Sequence, residues 1–242
     1  IYVHGGLKVF CATFFVFSDY MKGAMRLSSL MNLPITYVLT HDSIGVGEDG
    51  PTHQPIEQLT MLRSMPNMTV FRPADINEII GAWEYTIKNR EPVSIVISKE
   101  KLNILKHTNG KYVKYGAYIV RKEKYRLDGI IIATGSEVHT ALKIAEELFT
   151  EGIDIRVVSM PSMELFLKQN PIYEEKLLPK EVKTITLEAG EPILWNRFAS
   201  SPENIIGINN FGVCGKKEDV LKFMEFDYNA ILMKIKKMFE SD

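Results

Sequence analysis

Two histidines and several acidic residues crowd one short glycine-rich stretch of this 242-residue chain, which holds only five histidines in all. The stretch, residues 41–54, reads HDSIGVGEDGPTHQ, with His41 and His53 near its ends and Asp49 between them. Imidazole and carboxylate groups together can bind hydroxyl groups and move protons near neutral pH. Glycines let a backbone approach a ligand closely or adopt positive φ angles. A lone histidine is more often structural, but this cluster predicts a polar binding or catalytic site.

An aromatic stretch, TFFVFSDY at residues 13–20, is the second candidate. Phe14, Phe17 and Tyr20 recur every three residues, so they share one face if the segment is helical. Such a stripe most often packs in a core. The functional alternative is a platform on which a flat heteroaromatic ring stacks.

Two single features complete the candidates. Lys99 follows an apolar segment that ends at Ser98, and it is either a solvated charge or a group that faces a phosphate. The turn TGSE, residues 134–137, precedes a predicted helix. Ser136 there can cap the helix, and a helix N-terminus can also hold an anion.

The elements that must position these residues alternate between strand and helix. ITYVLT, residues 35–40, is typical of a buried parallel strand, and the 41–54 stretch follows it directly. Further strands are predicted at 69–72, 92–98, 129–133, 153–159, 182–188 and 205–208, and helices at 18–33, 56–65, 75–89, 138–150, 163–169, 193–199 and 228–238. The pattern predicts an α/β protein with two three-layer α/β/α domains and mainly parallel sheets. Ligands bind beyond the carboxyl ends of such strands, where His41 falls.

The domain boundary is predicted in a segment rich in Lys, Arg and Tyr. We assign residues 1–107 to a first domain that is truncated at its N-terminus and residues 108–127 to a linker with an edge hairpin. Residues 128–242 form a second domain.

Composition narrows the functional classes. Apolar residues make up 45% and charged residues 24%, and 29 basic against 30 acidic residues leave a net charge of −1. This balance argues against a nucleic-acid or membrane-binding protein. Cys11 and Cys214 lie far apart, so we expect no disulfide and a cytoplasmic location. No CxxC or HxxxH spacing predicts a metal site.

Two of these motifs together resemble the transketolase family. HDSIGVGEDGPTHQPIEQL at 41–59 is similar to its signature loop, and TFFVFSDY at 13–20 to its pyrimidine-binding aromatic stretch. LRSMPNMTVFRPAD at 62–75 and ATGSEV at 133–138 also match, so the resemblance covers the whole chain. It implies most of a pyrimidine-binding domain and a complete C-terminal domain. The deoxyxylulose phosphate synthase shares only the GPTHQ core and fits less well.

The resemblance implies a reaction and a cofactor. The family transfers two-carbon ketol units from a ketose phosphate to an aldose phosphate, in the pentose phosphate pathway. It uses thiamine diphosphate with Mg²⁺ or Ca²⁺ and works as a homodimer whose site is shared between subunits. By resemblance, the rings that line the aminopyrimidine pocket are Phe14, Phe17 and Tyr20.

The resemblance also assigns substrate contacts. His41 binds the sugar phosphate, His53 contacts the reacting oxygen, and Asp49 binds the C2 hydroxyl of the acceptor. We expect a nearby carboxylate to raise the pKa of either histidine. Lys99 stands where the family usually has Arg, so it keeps the charge at a phosphate contact but loses the bidentate fork.

The resemblance further predicts that the chain is a fragment. It begins with Ile1, whereas the family's cofactor-activating Glu lies upstream of an HGG motif, here residues 4–6. The family's diphosphate-binding domain, with the metal ligands, also lies upstream. We therefore expect the isolated chain to be inactive and to bind no cofactor tightly.

Three alternatives remain open. The chain is a separately encoded C-terminal subunit that assembles with a partner, or a relative like dihydroxyacetone synthase with formaldehyde as acceptor. In the third, the domain from Gly129 onward is an interaction module whose TGSE turn holds an anion.

Overall fold

A computed structural model describes residues 1–240, and it contains two α/β domains in sequence. The first sheet has four parallel strands: β1 (Val9–Phe14), β2 (Ile35–Thr40), β3 (Thr69–Phe71) and β4 (Val93–Ile97). Their order is β1-β2-β4-β3, so β2 lies between β1 and β4. The carboxyl ends of these three neighbouring strands consequently meet along one edge.

Three helices connect this sheet: α1 (Ser18–Leu30), α2 (Gln58–Arg63) and α3 (Ile76–Lys88). Asp75 caps α3 by accepting a hydrogen bond from the backbone N–H of Glu78. Helix α2 is shorter than the helix predicted at 56–65, because Ile56 and Glu57 form bends before its first turn.

The second sheet has five strands: β5 (Tyr118–Arg121), β6 (Gly129–Ala133), β7 (Ile155–Ser159), β8 (Thr184–Leu187) and β9 (Ile205–Ile206). Their order is β5-β7-β6-β8-β9, and only β5 runs antiparallel. The helices of this half are α4 (Gly110–Val113), α5 (Glu137–Thr150), α6 (Met163–Phe166), α7 (Pro171–Leu177), α8 (Lys217–Phe223) and α9 (Tyr228–Glu240). The predicted α/β class with mainly parallel sheets is confirmed.

The predicted edge hairpin at 108–127 is wrong. The segment contains the short helix α4 and one strand, β5, which pairs with β7 so that Tyr118 lies opposite Ser159. Because β7 supplies its hydrogen bonds, β5 needs no second strand within the segment. The segment between the domains therefore contributes β5 as the antiparallel edge strand of the second sheet.

Burial follows position in the sheets. Every residue of the central strands β6 and β7 is buried, as expected for parallel strands covered on both faces. Strand β1 lies at an edge and alternates between partly buried and exposed residues. Among the helices of residues 1–240, none has the length and apolar character needed to cross a bilayer.

The two domains are joined by buried charges. Arg72, directly after β3, donates to Asp42 from Nε at 3.1 Å and Nη2 at 2.7 Å, and its Nη1 bonds Glu137 of α5. Arg63 of α2 donates to both carboxylate oxygens of Glu188 at 2.6 and 2.7 Å. Burial by itself raises the pKa of Glu188, but the charges of Arg63 and Arg72 outweigh it and lower that pKa to about 2.

Candidate active site

Two rings meet where β1 and β2 end. Phe14, the last residue of β1, pairs with Thr40, the last residue of β2, so His41 follows directly beside it. The Phe14 and His41 rings stack with their centroids 3.9 Å apart and their planes 29° apart. The parallel register of two strands thus brings an imidazole from the signature loop onto the aromatic stretch.

The three predicted aromatic residues share one face. Phe14 lies 6.0 Å from Phe17 with nearly parallel rings, and Phe17 lies 6.0 Å from Tyr20. The segment is not one helix, because Phe14 ends a strand, Phe17 ends a single 3-10 turn and Tyr20 lies in α1. Phe14 is 38% and Tyr20 is 88% exposed, whereas Phe15 between them is fully buried. The outer rings therefore line an open surface.

His53 completes this ring cluster. Its centroid lies 5.3 Å from that of Phe17 and 6.4 Å from that of Phe14, in edge-to-face contacts. Nδ1 of His53 shares a hydrogen bond of 2.9 Å with the Thr52 hydroxyl, and Nδ1 of His41 shares one of 3.0 Å with the Thr40 hydroxyl. Within residues 1–240 neither imidazole has a hydrogen bond at Nε2. Both rings therefore keep one nitrogen for a ligand.

His41 has an unusual backbone and a lowered pKa. Its φ is 64°, in the left-handed region that non-glycine residues seldom adopt. Burial lowers its pKa first and the Lys99 charge second, and the opposing effects of Asp49 and Asp42 are smaller. The two carboxylates do raise the pKa of His41, but desolvation and a cation act more strongly, so the expected net rise is wrong.

Asp49 and Lys99 lie together on the same loop surface. Residues Ile44–Asp49 form 3-10 turns that kink at Gly47, where φ is 78°. Gly50, with a φ of 74°, then redirects the chain. Lys99 follows β4, and its Nζ lies 3.8 Å from Asp49 Oδ2 and 3.2 Å from the Val46 carbonyl oxygen. Both side chains are about half exposed, at 48% and 46%.

Comparison with known proteins gives the family. The model of the transketolase pyrimidine-binding domain matches residues 1–104, and that of the transketolase-like C-terminal domain matches residues 116–227. The chain belongs to the transketolase family. It is 43% identical over 240 residues to the transketolase of Bacillus subtilis (strain 168), which covers 97% of this chain and 36% of that protein. The chain thus spans about a third of the length of that relative.

Solved transketolases have the same fold. The transketolase from Leishmania mexicana superposes with a TM-score of 0.91 at 35% identity, over 97% of this chain and 34% of that one. A structure described as a split gene transketolase, inactive beta4 tetramer, superposes with a TM-score of 0.74. It is 22% identical, over 94% of this chain and 75% of that chain, so it shows the shared fold alone.

The TGSE turn of this transketolase-family chain has a structural role. A Cβ at Gly135 would lie 2.8 Å from Arg72 Cζ, so the Arg72 side chain already covers the turn. The Ser136 hydroxyl donates to Glu137 Oε1 at 2.7 Å and makes no cap to the backbone of α5. The prediction of a serine cap is therefore wrong, and an anion at this turn stays a prediction.

Sequence reasoning missed the residues that hold the signature loop. Asp42, directly after His41, is 3% exposed and accepts from Arg72. Gln54, directly after His53, is 2% exposed and donates to Gly47 and to Val213 of the C-terminal domain. The signal for Arg72 was a charged residue that directly follows a buried strand. Gln54 offered none, since its partner lies 159 residues away.

The site also bears on the family's cofactor. The part-exposed rings of Phe14, Phe17 and Tyr20 form an apolar surface that fits a flat heteroaromatic ring. Within residues 1–240 no three His, Cys, Asp or Glu side chains come together as a metal site.

Proposed function

We propose that this chain forms the pyrimidine-binding and C-terminal domains of a thiamine diphosphate-dependent transketolase. The observation that carries the proposal is the contact of both imidazoles, His41 and His53, with the ring of Phe14 on a single open surface. The reaction is the transfer of a two-carbon ketol unit from a ketose phosphate to an aldose phosphate, as in the pentose phosphate pathway.

The aromatic residues hold the cofactor in this proposal. Phe14, Phe17 and Tyr20 pack against its aminopyrimidine ring and exclude water from it. Thiamine diphosphate, when bound, supplies the carbanion stabilisation that ketol transfer requires. Mg²⁺ or Ca²⁺ for the diphosphate is held outside this chain.

The polar residues bind and orient the sugar. With its pKa below the ordinary value, His41 is neutral at pH 7, so its Nε2 either accepts a hydrogen bond from a sugar hydroxyl or donates one to its oxygen, according to the tautomer. His53 acts at the reacting oxygen through Nε2, since Nδ1 is held by Thr52. Asp49 accepts a hydrogen bond from the C2 hydroxyl of the acceptor, and Lys99 beside it attracts the phosphate.

The exposure of the site supports a shared catalytic centre. Tyr20 is 88% exposed, so a cofactor lying on these rings needs a second surface to shield it from water. We propose that a diphosphate-binding domain of a partner subunit supplies that surface in a homodimer. The two free cysteines support a cytoplasmic location. The proposal includes no nucleic-acid or membrane partner.

A chimera tests the proposal. The chain replaces the matching third of the Bacillus subtilis relative, and transfer between a ketose phosphate and an aldose phosphate is assayed with thiamine diphosphate and Mg²⁺. We expect activity in the chimera, a loss of at least about 100-fold in its His53→Ala variant, and none from the chain alone. A folded chimera that binds the cofactor without transferring ketol units contradicts the proposal.

A second candidate is a separately encoded subunit. The split gene transketolase chain shares this fold, and the present chain covers 75% of its length. In that case the chain, mixed with a separately produced diphosphate-binding domain, reaches the activity of the covalent chimera. Formaldehyde as acceptor in the same assay tests the relationship to dihydroxyacetone synthase.

A further inference from the structure

A loop of the C-terminal domain packs directly against the signature loop. A Cβ at Gly50 would lie 3.3 Å from Cys214 Cβ, and one at Gly47 would lie 3.3 Å from the Lys217 nitrogen. The Cys214 thiol also donates to the carbonyl oxygen of Glu48 at 3.0 Å. The turn that carries Asp49 therefore rests on the backbone of the other domain.

Gln54 ties that contact to His53. Its side-chain Nε2 donates to the Gly47 carbonyl and to the Val213 carbonyl, both at 3.0 Å. Two carbonyl acceptors fix which end of the amide is the NH₂ group. The Gly47 carbonyl also accepts from the Gly50 backbone, and the Gly50 carbonyl accepts from the His53 backbone, each at 3.0 Å. Gln54 thus connects the turn that ends at His53 with the C-terminal domain.

The other end of the Gln54 side chain is enclosed. Gln54 is 2% exposed, and its Oε1 is buried without a hydrogen-bond partner in residues 1–240. A Cβ at Gly212 would lie only 1.7 Å from this oxygen. An amide held by two hydrogen bonds cannot withdraw from such a contact without losing them. The position of Gln54 is therefore set by two residues of the C-terminal domain, Gly212 and Val213.

We propose that Gln54 is a positioning residue for His53, through which the C-terminal domain sets the place of this imidazole. The catalytic part of the inference rests on the proposed function, but the placement of the ring does not. An imidazole displaced by about 1 Å from its productive geometry is expected to lose much of its effect on rate.

A matched pair of glycine substitutions tests this placement. Gly212→Ala puts a methyl group on Gln54 Oε1, whereas Gly215→Ala in the same loop meets only Val220 Cγ2 at 3.6 Å. Neither glycine has a positive φ, so alanine fits both backbones. The readout is the imidazole proton NMR signal of His53 in the 242-residue chain, assigned by its loss in His53→Asn. Circular dichroism shows whether each variant is folded.

We expect Gly212→Ala to move the His53 signal and Gly215→Ala to leave it in place. In a Gln54→Ala background the added methyl at residue 212 has no side chain to displace, so its effect on the signal disappears. The proposal is overturned if the His53 signal does not move in folded Gly212→Ala. It is also overturned if Gly215→Ala moves the signal equally, or if Gly212→Ala moves it equally in the Gln54→Ala background. If Gly212→Ala fails to fold, the test is made with Gln54→Ala. A His53 signal that stays in place in folded Gln54→Ala then overturns the proposal.

The chimera separates this inference from the proposed function. In it, we expect Gly212→Ala to lower kcat by roughly 10-fold or more while KM changes by less than about twofold. A moved His53 signal in a chain whose chimera is inactive supports the placement and contradicts the proposed function. If the His53 signal moves but the kcat of an active chimera is unchanged, the role of Gln54 in the reaction is contradicted. The proposed function then stands.

Discussion

Arg63 and Glu188 form a two-pronged ion pair between the domains, with N–O distances of 2.6 and 2.7 Å and side chains only 3% and 1% exposed. Trp195 donates a third hydrogen bond to Glu188 at 2.9 Å, and its ring lies under the Arg63 guanidinium. A buried pair of this kind is costly to break, because the remaining charge has no water to solvate it.

Removing Arg63 is therefore expected to destabilise the chain strongly. Arg63→Met leaves Glu188 with part of its charge uncompensated, and we expect the free energy of unfolding to fall by about 3–5 kcal/mol in urea denaturation. Lys88→Met is the control, since its ion pair with Glu84 is exposed and water solvates either charge when the other is removed, so we expect a far smaller loss. Equal losses for the two variants would contradict the importance of the buried pair.

Glu188 is expected to make stability depend on acid pH. Its pKa in the folded chain is about 2, below the ordinary value of 4.5, so the folded state binds its proton less readily than the unfolded state. Its contribution is present above pH 4.5 and is lost as the pH falls towards 2. We expect the unfolding free energy of Glu188→Gln, measured in urea between pH 6 and 3, to depend less on pH than that of the unsubstituted chain.

Two other buried carboxyl groups act in the opposite sense. Burial raises the pKa of Glu78 and of Glu164, so protonating them favours the folded state as the pH falls. The comparison of Glu188→Gln with the unsubstituted chain cancels their effect. A pH dependence unchanged by Glu188→Gln would count against the assigned pKa.

His41 is expected to titrate below the ordinary pKa of 6.5. The unfolded chain then binds this proton more readily, so the contribution of His41 to stability is lost as the pH falls through the window just below 6.5. Lys99→Met should raise the pKa of His41, because a lowering charge is removed, and Asp49→Asn should lower it further. Proton NMR titration measures each shift, and Lys101→Met serves as the control. A His41 pKa unaffected by Lys99→Met would contradict this electrostatic assignment.

The sequence predicted those features whose cause is local. The apolar runs at Ile35–Thr40 and Gly129–Ala133 form central strands, and the helix predicted at 75–89 forms at Ile76–Lys88. The family resemblance placed His41, His53 and the rings in one site, and strand register brings them into contact.

The features that it missed depend on distant partners. Strand β5 pairs with β7, more than thirty residues later in the chain. Because this partner is distant in sequence, the segment was wrongly predicted to form a hairpin. Arg72 donates a hydrogen bond to Glu137, 65 residues away in sequence, and Gln54 donates one to Val213, 159 residues away. Neither local propensity nor hydrophobic periodicity contains information about such pairs. The pKa of His41 was mispredicted for the same reason, since Lys99 and burial come from the assembled fold.

The aromatic surface is expected to contribute directly to cofactor affinity. In the chimera, Phe17→Ala removes a ring that contacts both Phe14 and His53. We expect thiamine diphosphate to bind roughly 3- to 10-fold more weakly by calorimetry, in line with about 0.5–1.5 kcal/mol for one aromatic contact. Phe223→Ala is the control, since this ring is 68% exposed on the C-terminal domain. Unchanged affinity in a folded Phe17→Ala chimera would remove this ring from the cofactor site.

Lys99 is expected to limit how tightly a sugar phosphate binds. Its side chain is about half exposed, and its Nζ lies near Asp49 and the Val46 carbonyl, so it offers a point charge with competing partners. In the chimera, Lys99→Arg should lower the KM of the ketose phosphate by several-fold, because a guanidinium presents two parallel donors to a phosphate. Lys99→Met should raise that KM while kcat changes little, since the phosphate lies away from the reacting atoms. Steady-state kinetics with a phosphorylated and an unphosphorylated ketose distinguish a phosphate contact from a general charge effect. An equal change in KM for both sugars would exclude Lys99 as a phosphate ligand.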